Sequence, residues 1–286
     1  MMNQMFSYLF VPAISTKMVN KALTIKQSAI ILDLEDSVAH SKKHVAREKV
    51  SGYMSELNEW DRQRVFIRIN DSESPYFYHD LQLVKVCKPR GLFIPKTEDK
   101  NMIKEIATYL ADESIALIPL IETAKGIHYS FDIATATETV ERLAFGAVDY
   151  CLDTNIEVGE GREELLYARS QLVNASAAAK TLPPIDSVFL HLENSNDLIK
   201  ETTHGRKLGF AGKLAIHPKQ VVRINDVYHQ ENNNRIYEAK EVIRLFENAE
   251  KEGKASINVN GRLVDYPVYK QAKKLLQINS ESNESK

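Results

Sequence analysis

Short apolar runs rich in β-branched and aromatic residues recur along the chain, with longer helix-like segments between them. Runs of this kind read as parallel strands covered on both faces by helices, because such a strand has no solvated face that would demand alternating polar residues. Eight runs fit: Tyr8 to Val11, Ala29 to Leu34, Val65 to Ile69, Gly91 to Pro95, Ile115 to Leu120, Arg142 to Gly146, Ser187 to Leu190 and Lys213 to Ile216. Most of the segments between them suit helices. Lys42 to Asn58 is one, and Glu163 to Thr181 another, with Leu165, Leu166, Ala168, Leu172 and Ala175 suiting an amphipathic face. Eight strand–helix units predict an α/β protein built as a closed (β/α)8 TIM barrel over residues 1–230. An open doubly wound sheet is the alternative, but no GxGxxG follows the first run and no GxxxxGK[ST] occurs anywhere.

Past the eighth run the pattern changes. Asn233 to Glu252 predicts a charged helix, a turn containing Gly and Asn comes next, and Tyr266 to Leu276 predicts a further helix. Residues 231–276 are therefore expected as a C-terminal helical extension or lid, and the polar tail 277–286 as disordered.

Composition narrows the function classes. A chain of 286 residues suffices for one barrel with a large core. Its formal net charge is -2 and no long run of one sign occurs, which argues against a broad nucleic-acid or anionic-membrane surface. No window approaches the ~20 apolar residues of a membrane span, and the first residues lack a basic stretch followed by a long enough apolar one. Cys87 and Cys151 stand far apart, outside any CxxC or Cys/His cluster, and read as buried free thiols. These features predict a soluble cytoplasmic protein whose partners are small molecules and further copies of itself.

In such a barrel, polar groups meet at the carboxyl ends of the strands. The second run, IILDLED, turns abruptly acidic at Asp33, Glu35 and Asp36. Arg68 lies in VFIRIN, Glu122 follows the fifth run in IPLIETAKG, and Asp149 follows the sixth in LAFGAVD. Two carboxylates on adjacent strand ends suit a hard cation such as Mg²⁺, which takes one or two protein carboxylates and completes its shell with substrate oxygens and water. Glu35 and Asp36 then suit a second layer accepting hydrogen bonds from the metal-bound waters. Each residue also has a plain reading: a strand-end acid as a helix cap or ion-pair partner, Arg68 as an ion-pair member, Asp33 as structural, and His217 as a support for its loop. Lys17, Lys21 and Lys43 read as ordinary solvated lysines, with Lys17 and Lys21 retained as candidates for holding a cofactor.

Taken in order, YLFVPA, IILDLEDSV, KKHVAR, VFIRIN, GLFIPKTED, IPLIETAKG, LAFGAVD, PPIDSVF, LGFAGKLAIHPKQV and GRLVDYPV resemble the motif series of the citrate lyase β-subunit-like (CitE-like) family of the HpcH/HpaI aldolase group. The resemblance implies a (β/α)8 barrel, a homotrimer or a multiple of one, and Mg²⁺-dependent making or breaking of a carbon–carbon bond between a 2-oxo acid and the enolate of an acyl thioester. It implies Glu122 and Asp149 as metal ligands, Arg68 as the group holding the substrate, and Glu35 and Asp36 as the acidic shell around the metal waters. Asp265 matches an acid that related lyases bring into the site from an adjacent subunit. The expected activity is that of a carbon–carbon lyase acting on a citryl-CoA, malyl-CoA or citramalyl-CoA type of thioester. An aldolase acting on free 2-oxo acids and a catalytically silent metabolite-binding barrel are the alternatives. The chain departs from the family pattern at Phe6 (commonly Arg) and Ala13 (commonly Gly), both expected beside the barrel mouth, and at Asn155 (commonly Gly).

Overall fold

The structure, a computed structural model, describes residues 5–259 and 261–284. Strands β1 (Ser7–Pro12), β2 (Ala29–Asp33), β3 (Val65–Arg68), β4 (Gly91–Ile94), β5 (Ala116–Ile121), β6 (Ala144–Phe145), β7 (Ile185–Asp186) and β8 (Gly212–Ala215) form a closed parallel barrel in chain order, with β8 pairing back onto β1. Tyr8, Ile31, Phe66, Phe93, Ile118, Leu120, Ala144, Ile185 and Leu214 belong to one buried apolar cluster, in which the rings of Tyr8, Phe66 and Phe93 meet edge to face. Strand side chains alternate with period two, so the residues that share this face lie two positions further along. Asp33 follows Ile31, Arg68 follows Phe66 and Glu122 follows Leu120 at that interval. The core pattern therefore aims these polar groups at the C-terminal mouth.

Six of the predicted runs overlap their strands within a residue or two, and two differ more. Only Ala144–Phe145 of Arg142 to Gly146 is strand. The seventh strand is Ile185–Asp186, ahead of the apolar run Ser187 to Leu190 that was expected to form it. An aspartate argues against a central strand unless its charge is met inside the fold, and here it is. Arg169, on the helix Leu166–Ala179, donates to Asp186 Oδ1 at 2.9 Å and Oδ2 at 3.2 Å, and Lys213 Nζ of β8 reaches Oδ2 at 3.1 Å. Glu201, on the helix Ser195–Leu208, completes the network by accepting from Arg169 at 2.9 Å and Lys213 at 2.8 Å. All four are buried. Burial opposes ionisation of Asp186, but the Arg169 and Lys213 cations overcome it and hold the carboxyl at about 2.

One helix runs from Pro218 to Lys251, beginning directly after β8 rather than near Asn233. Proline at its start is favourable, since its fixed φ suits the first turn and its missing N–H is not needed there. The barrel unit ends at Asn225 and a second compact unit begins at Asp226, inside this helix, where the hydropathy pattern placed the boundary at 230. Within the second unit the expected turn is an antiparallel hairpin, β9 (Ser256–Val259) with β10 (Arg262–Asp265), followed by the helix Tyr266–Glu284. That helix extends into the tail expected to be disordered, and residues 285–286 lie outside the described ones. Phe246 packs against the rings of Tyr266 and Tyr269, whose hydroxyls donate to Glu250 and Glu247. No helix among the described residues is long and apolar enough to cross a membrane.

The buried network makes a testable demand. Asp186→Ala leaves Arg169 and Lys213 to share Glu201, and breaking a buried ion pair by removing one partner costs about 3–5 kcal/mol. Urea unfolding is expected to show a loss of that size, whereas Asp197→Ala, which removes an exposed pair with Lys200, should barely move the unfolding midpoint.

Candidate active site

The register of β2 on β3 sets Asp33 opposite Arg68. Arg68 Nε and Nη2 donate to the two carboxylate oxygens of Asp33 at 2.7 and 2.8 Å, a bidentate fork. Its remaining nitrogen, Nη1, donates to Asp36 Oδ2 at 3.2 Å and lies 2.9 Å from Glu35 Oε2. Burial opposes both charges of the fork, yet their mutual attraction prevails, holding Asp33 below the usual carboxylate range and raising Arg68 above its ordinary value. Asp33 also accepts from the backbone N–H groups of Glu35, at 2.9 Å, and Ser37, at 3.1 Å. Asp33 is thus the organiser of the acidic loop.

Lys43 corrects the sequence reading. It is buried rather than solvated, with Nζ donating at 2.7 Å to the carbonyls of both Leu34 and Glu35. Burial lowers its pKa against the pull of the surrounding acids. Asn70 also donates to the Leu34 carbonyl and to Asp80, which in turn pairs with Arg47. Polar groups that the pattern left unassigned therefore support the loop carrying Glu35 and Asp36.

Glu122, just past β5, accepts at Oε1 from the backbone N–H of Lys96 at 2.7 Å. Lys96 has φ +48°, a left-handed conformation uncommon outside glycine, asparagine and aspartate, and it was not singled out from the sequence. Asp149 lies in the first turn of the helix Ala147–Thr154. Burial pushes Glu122 up to about 7, against the Lys96 amide and with Asp149 adding to the rise. Burial likewise pushes Glu35 up to about 8, opposed by Arg68 and reinforced by Asp36 and Glu122. Glu35 Oε2 is buried without an aligned hydrogen-bond donor, despite its closeness to Arg68.

A cavity of about 400 Å³ opens over these groups. Asp33, Asp36, Ser37, Arg68, Glu122 and Asp149 line it together with the apolar side chains of Phe10, Leu120, Phe145, Val188, Leu214 and Ile216. Asp149 is close enough to disfavour ionisation of Glu122, which a cation would relieve. Among the described residues no three His, Cys, Asp or Glu side chains gather as a ligand set, so the protein offers two carboxylates here. All-oxygen donors in that number fit Mg²⁺, which retains water and substrate oxygens, and do not fit a closed Zn²⁺ site.

A family model described as HpcH/HpaI aldolase/citrate lyase matches residues 7–218. The chain belongs to this family. It is 30% identical over 279 residues to the citrate lyase subunit beta of Escherichia coli (strain K12), covering 94% of this chain and 91% of that one. It is 25% identical over 294 residues to the mitochondrial citramalyl-CoA lyase of Homo sapiens, covering 96% and 86%. The crystal structure of CitE from Mycobacterium tuberculosis in complex with magnesium, acetoacetate and coenzyme A superposes with a TM-score of 0.79 at 25% identity, over 96% of this chain and 97% of that one.

The remaining residues singled out from the sequence are placed elsewhere. Lys17 and Lys21 are exposed on the helix Thr16–Leu23 and do not line the cavity. His217 Nδ1 accepts from the Lys219 N–H at 3.1 Å, which supports its loop. Asp265 belongs to the second unit, where its Oδ1 accepts from the Val268 N–H at 3.2 Å and caps the helix Tyr266–Glu284. Of the departures from the family pattern, only Ala13 stands at the mouth, its N–H donating to the Asp33 carbonyl. Phe6 precedes β1, and its carbonyl accepts from Lys213 N at the opposite end of the barrel, so its difference does not touch the cavity. Asn155 takes φ +55° after the helix Ala147–Thr154, a conformation asparagine tolerates in place of glycine.

Gly146 supplies a direct test of this geometry. A Cβ there would lie 2.4 Å from Glu122 Oε2, so Gly146→Ala must displace that carboxylate. Calorimetric titration with Mg²⁺ is expected to show at least about tenfold weaker binding, in line with losses seen when groups around metal ligands are altered, with the far-ultraviolet circular dichroism unchanged.

Proposed function

We propose that the protein is a Mg²⁺-dependent carbon–carbon lyase that cleaves a 3-hydroxy-3-carboxyacyl thioester into an acyl thioester and a 2-oxo acid. The observation that carries this reading is the convergence of Glu122, Asp149 and Arg68 on one cavity at the C-terminal mouth of the barrel. Glu122 and Asp149 would hold the ion, which supplies Lewis-acid polarisation of the substrate hydroxyl oxygen that becomes the ketone. CoA is the proposed thioester carrier, in keeping with the magnesium, acetoacetate and coenzyme A bound in the M. tuberculosis CitE structure.

Arg68 fixes the carboxylate of the 2-oxo acid portion. The Asp33 fork takes Nε and one N–H of Nη2, leaving Nη1, now 3.2 Å from Asp36 and 2.9 Å from Glu35, to exchange these contacts for the substrate. The apolar side chains that share the cavity would limit water around the thioester enolate. As the bond between the hydroxyl-bearing carbon and the thioester α-carbon breaks, its electron pair passes to the enolate and the hydroxyl gives its proton to a carboxylate lining the cavity, for which Asp36 is the proposed base. The enolate then takes up a proton from a general acid, for which Asp265 of an adjacent subunit in a homotrimer is the proposed group. Its cap bond engages Oδ1 and leaves Oδ2 uncommitted to that bond. Incubating the protein and Mg²⁺ with a panel of acyl-CoAs, with a coupled dehydrogenase reporting 2-oxo acid release, tests the activity; no release from any of them would count against it.

Glu122→Gln and Asp149→Asn are each expected to abolish turnover while leaving the fold intact. Mg²⁺-dependent activity retained in both variants would show that the ligands lie elsewhere.

For Asp265, general-acid catalysis is typically worth 10²–10⁴-fold, so Asp265→Asn should lower kcat by about that range with little change in Mg²⁺ affinity. If Asp265 is only a helix cap, stability falls instead and kcat does not. Mixing inactive Asp265→Asn and Glu122→Gln proteins under conditions of subunit exchange should restore part of the activity, because some sites then draw both intact residues from different chains. Absence of recovery despite demonstrated exchange would rule out a shared site.

A further inference from the structure

Directly after β4 the chain turns, and the turn is strained. Lys96 has φ +48°, in the left-handed region that its own Cβ disfavours, so the surroundings must hold it there. Three contacts of the next residue do so. The Thr97 hydroxyl, withdrawn from water, donates to the Ile94 carbonyl at 2.8 Å and closes the turn on itself. The Thr97 N–H donates to the Leu120 carbonyl at 3.2 Å, tying the turn to β5, the strand that leads into Glu122. Gly126, in the helix Ala124–His128, packs so closely that a Cβ there would lie 2.7 Å from the Thr97 carbonyl oxygen.

What this turn delivers is one hydrogen bond, from the Lys96 N–H to Glu122 Oε1 at 2.7 Å. The other oxygen, Oε2, lies where a Cβ on Gly146 would be 2.4 Å away, just ahead of the helix that carries Asp149. The Glu122 carboxylate is thus held from two sides, by the turn after β4 and by the residue after β6. The side chain of Lys96 takes no part in that bond. It is half-exposed, with Nζ 3.9 Å from Glu35 Oε1, so the backbone and the ammonium of this residue do separate things.

Resting on the reading above in which Glu122 holds the ion, we propose that Lys96 and Thr97 are positioning residues: the left-handed backbone of Lys96, closed by the Thr97 hydroxyl, fixes the orientation in which the Glu122 carboxylate meets Mg²⁺. Strain that persists beside a functional carboxylate has a use there, since a relaxed turn would give up the bond that orients it. Partners that orient a metal ligand are worth about 10–100-fold in affinity.

The test separates backbone from side chain. Lys96→Gly and Lys96→Val both remove the ammonium near the acids, but glycine takes up the left-handed conformation freely, whereas β-branched valine resists it. Calorimetric titration of the full-length protein with Mg²⁺ is expected to show at least about tenfold weaker binding in Lys96→Val than in Lys96→Gly. A second pair leaves the strained residue in place and decides the matter if Lys96→Val does not fold. Thr97→Val matches the shape of the buried side chain without the hydroxyl that closes the turn, Thr97→Ser keeps that hydroxyl, and a gap of about tenfold is expected again. Equal Mg²⁺ affinities within either pair of folded variants, with only the urea midpoint lowered by valine, would reduce the turn to a structural role and overturn the proposal. Native protein that binds no Mg²⁺, or Glu122→Gln that binds it as tightly as native protein, would overturn the metal reading and the proposal with it. That outcome is distinct from native binding, dependent on Glu122, that is indifferent to residues 96 and 97.

Discussion

Arg68 and Asp33 sit opposite each other at the ends of β2 and β3, joined through both carboxylate oxygens and almost entirely withdrawn from water. A buried pair of this kind persists only if both partners stay and the surrounding hydrogen bonds are satisfied. The constraint propagates outward. Asp33 turns the following backbone by accepting from Glu35 and Ser37, and Lys43 and Asn70 hold the carbonyls that this turn leaves behind. The Arg68 guanidinium lies 4.6 Å from the centre of the Phe10 ring, and both side chains line the cavity. Placement of the acidic loop and of the Arg68 guanidinium at the mouth therefore depend on the same ion pair.

The charges of this barrel are handled in two ways. Around Asp186, two acids meet two buried cations and the carboxyl of Asp186 is held low. At the mouth the acids outnumber the cations, and Glu35 and Glu122 are pushed upward instead. The first arrangement is a closed structural network between strands and helices. The second is incomplete until positive charge arrives, and a dication between Glu122 and Asp149 would supply it.

The eight-strand barrel was legible in the spacing of apolar runs, since burial of both strand faces leaves a local signature. Arg68, Glu122 and Asp149 were legible because polar residues interrupt or follow those runs at the strand ends. The ordered motifs supplied the chemistry to expect of them. What the local pattern could not express is which charge meets which. Asp186 looked like a loop residue because its partners stand 17 and 27 positions away, on a helix and a neighbouring strand. Lys43 looked solvated because the carbonyls that bury it become adjacent only once the acidic loop has folded over it.

The same division holds at the cavity. By itself the sequence determined an α/β barrel, the helical character of the C-terminal segment, and the identity of the acids and the arginine at the mouth, because side-chain periodicity and residue type are properties of short stretches. Only the tertiary structure decided that Asp33 occupies two nitrogens of Arg68, that Lys96 adopts a left-handed backbone to bind Glu122, and that apolar residues from β5, β6, β8 and the segments after β7 and β8 line the same cavity as the acids. Closing the barrel brings together strand ends that lie tens of residues apart, and neither the balance of charge nor the chemistry of a shared surface exists until they meet.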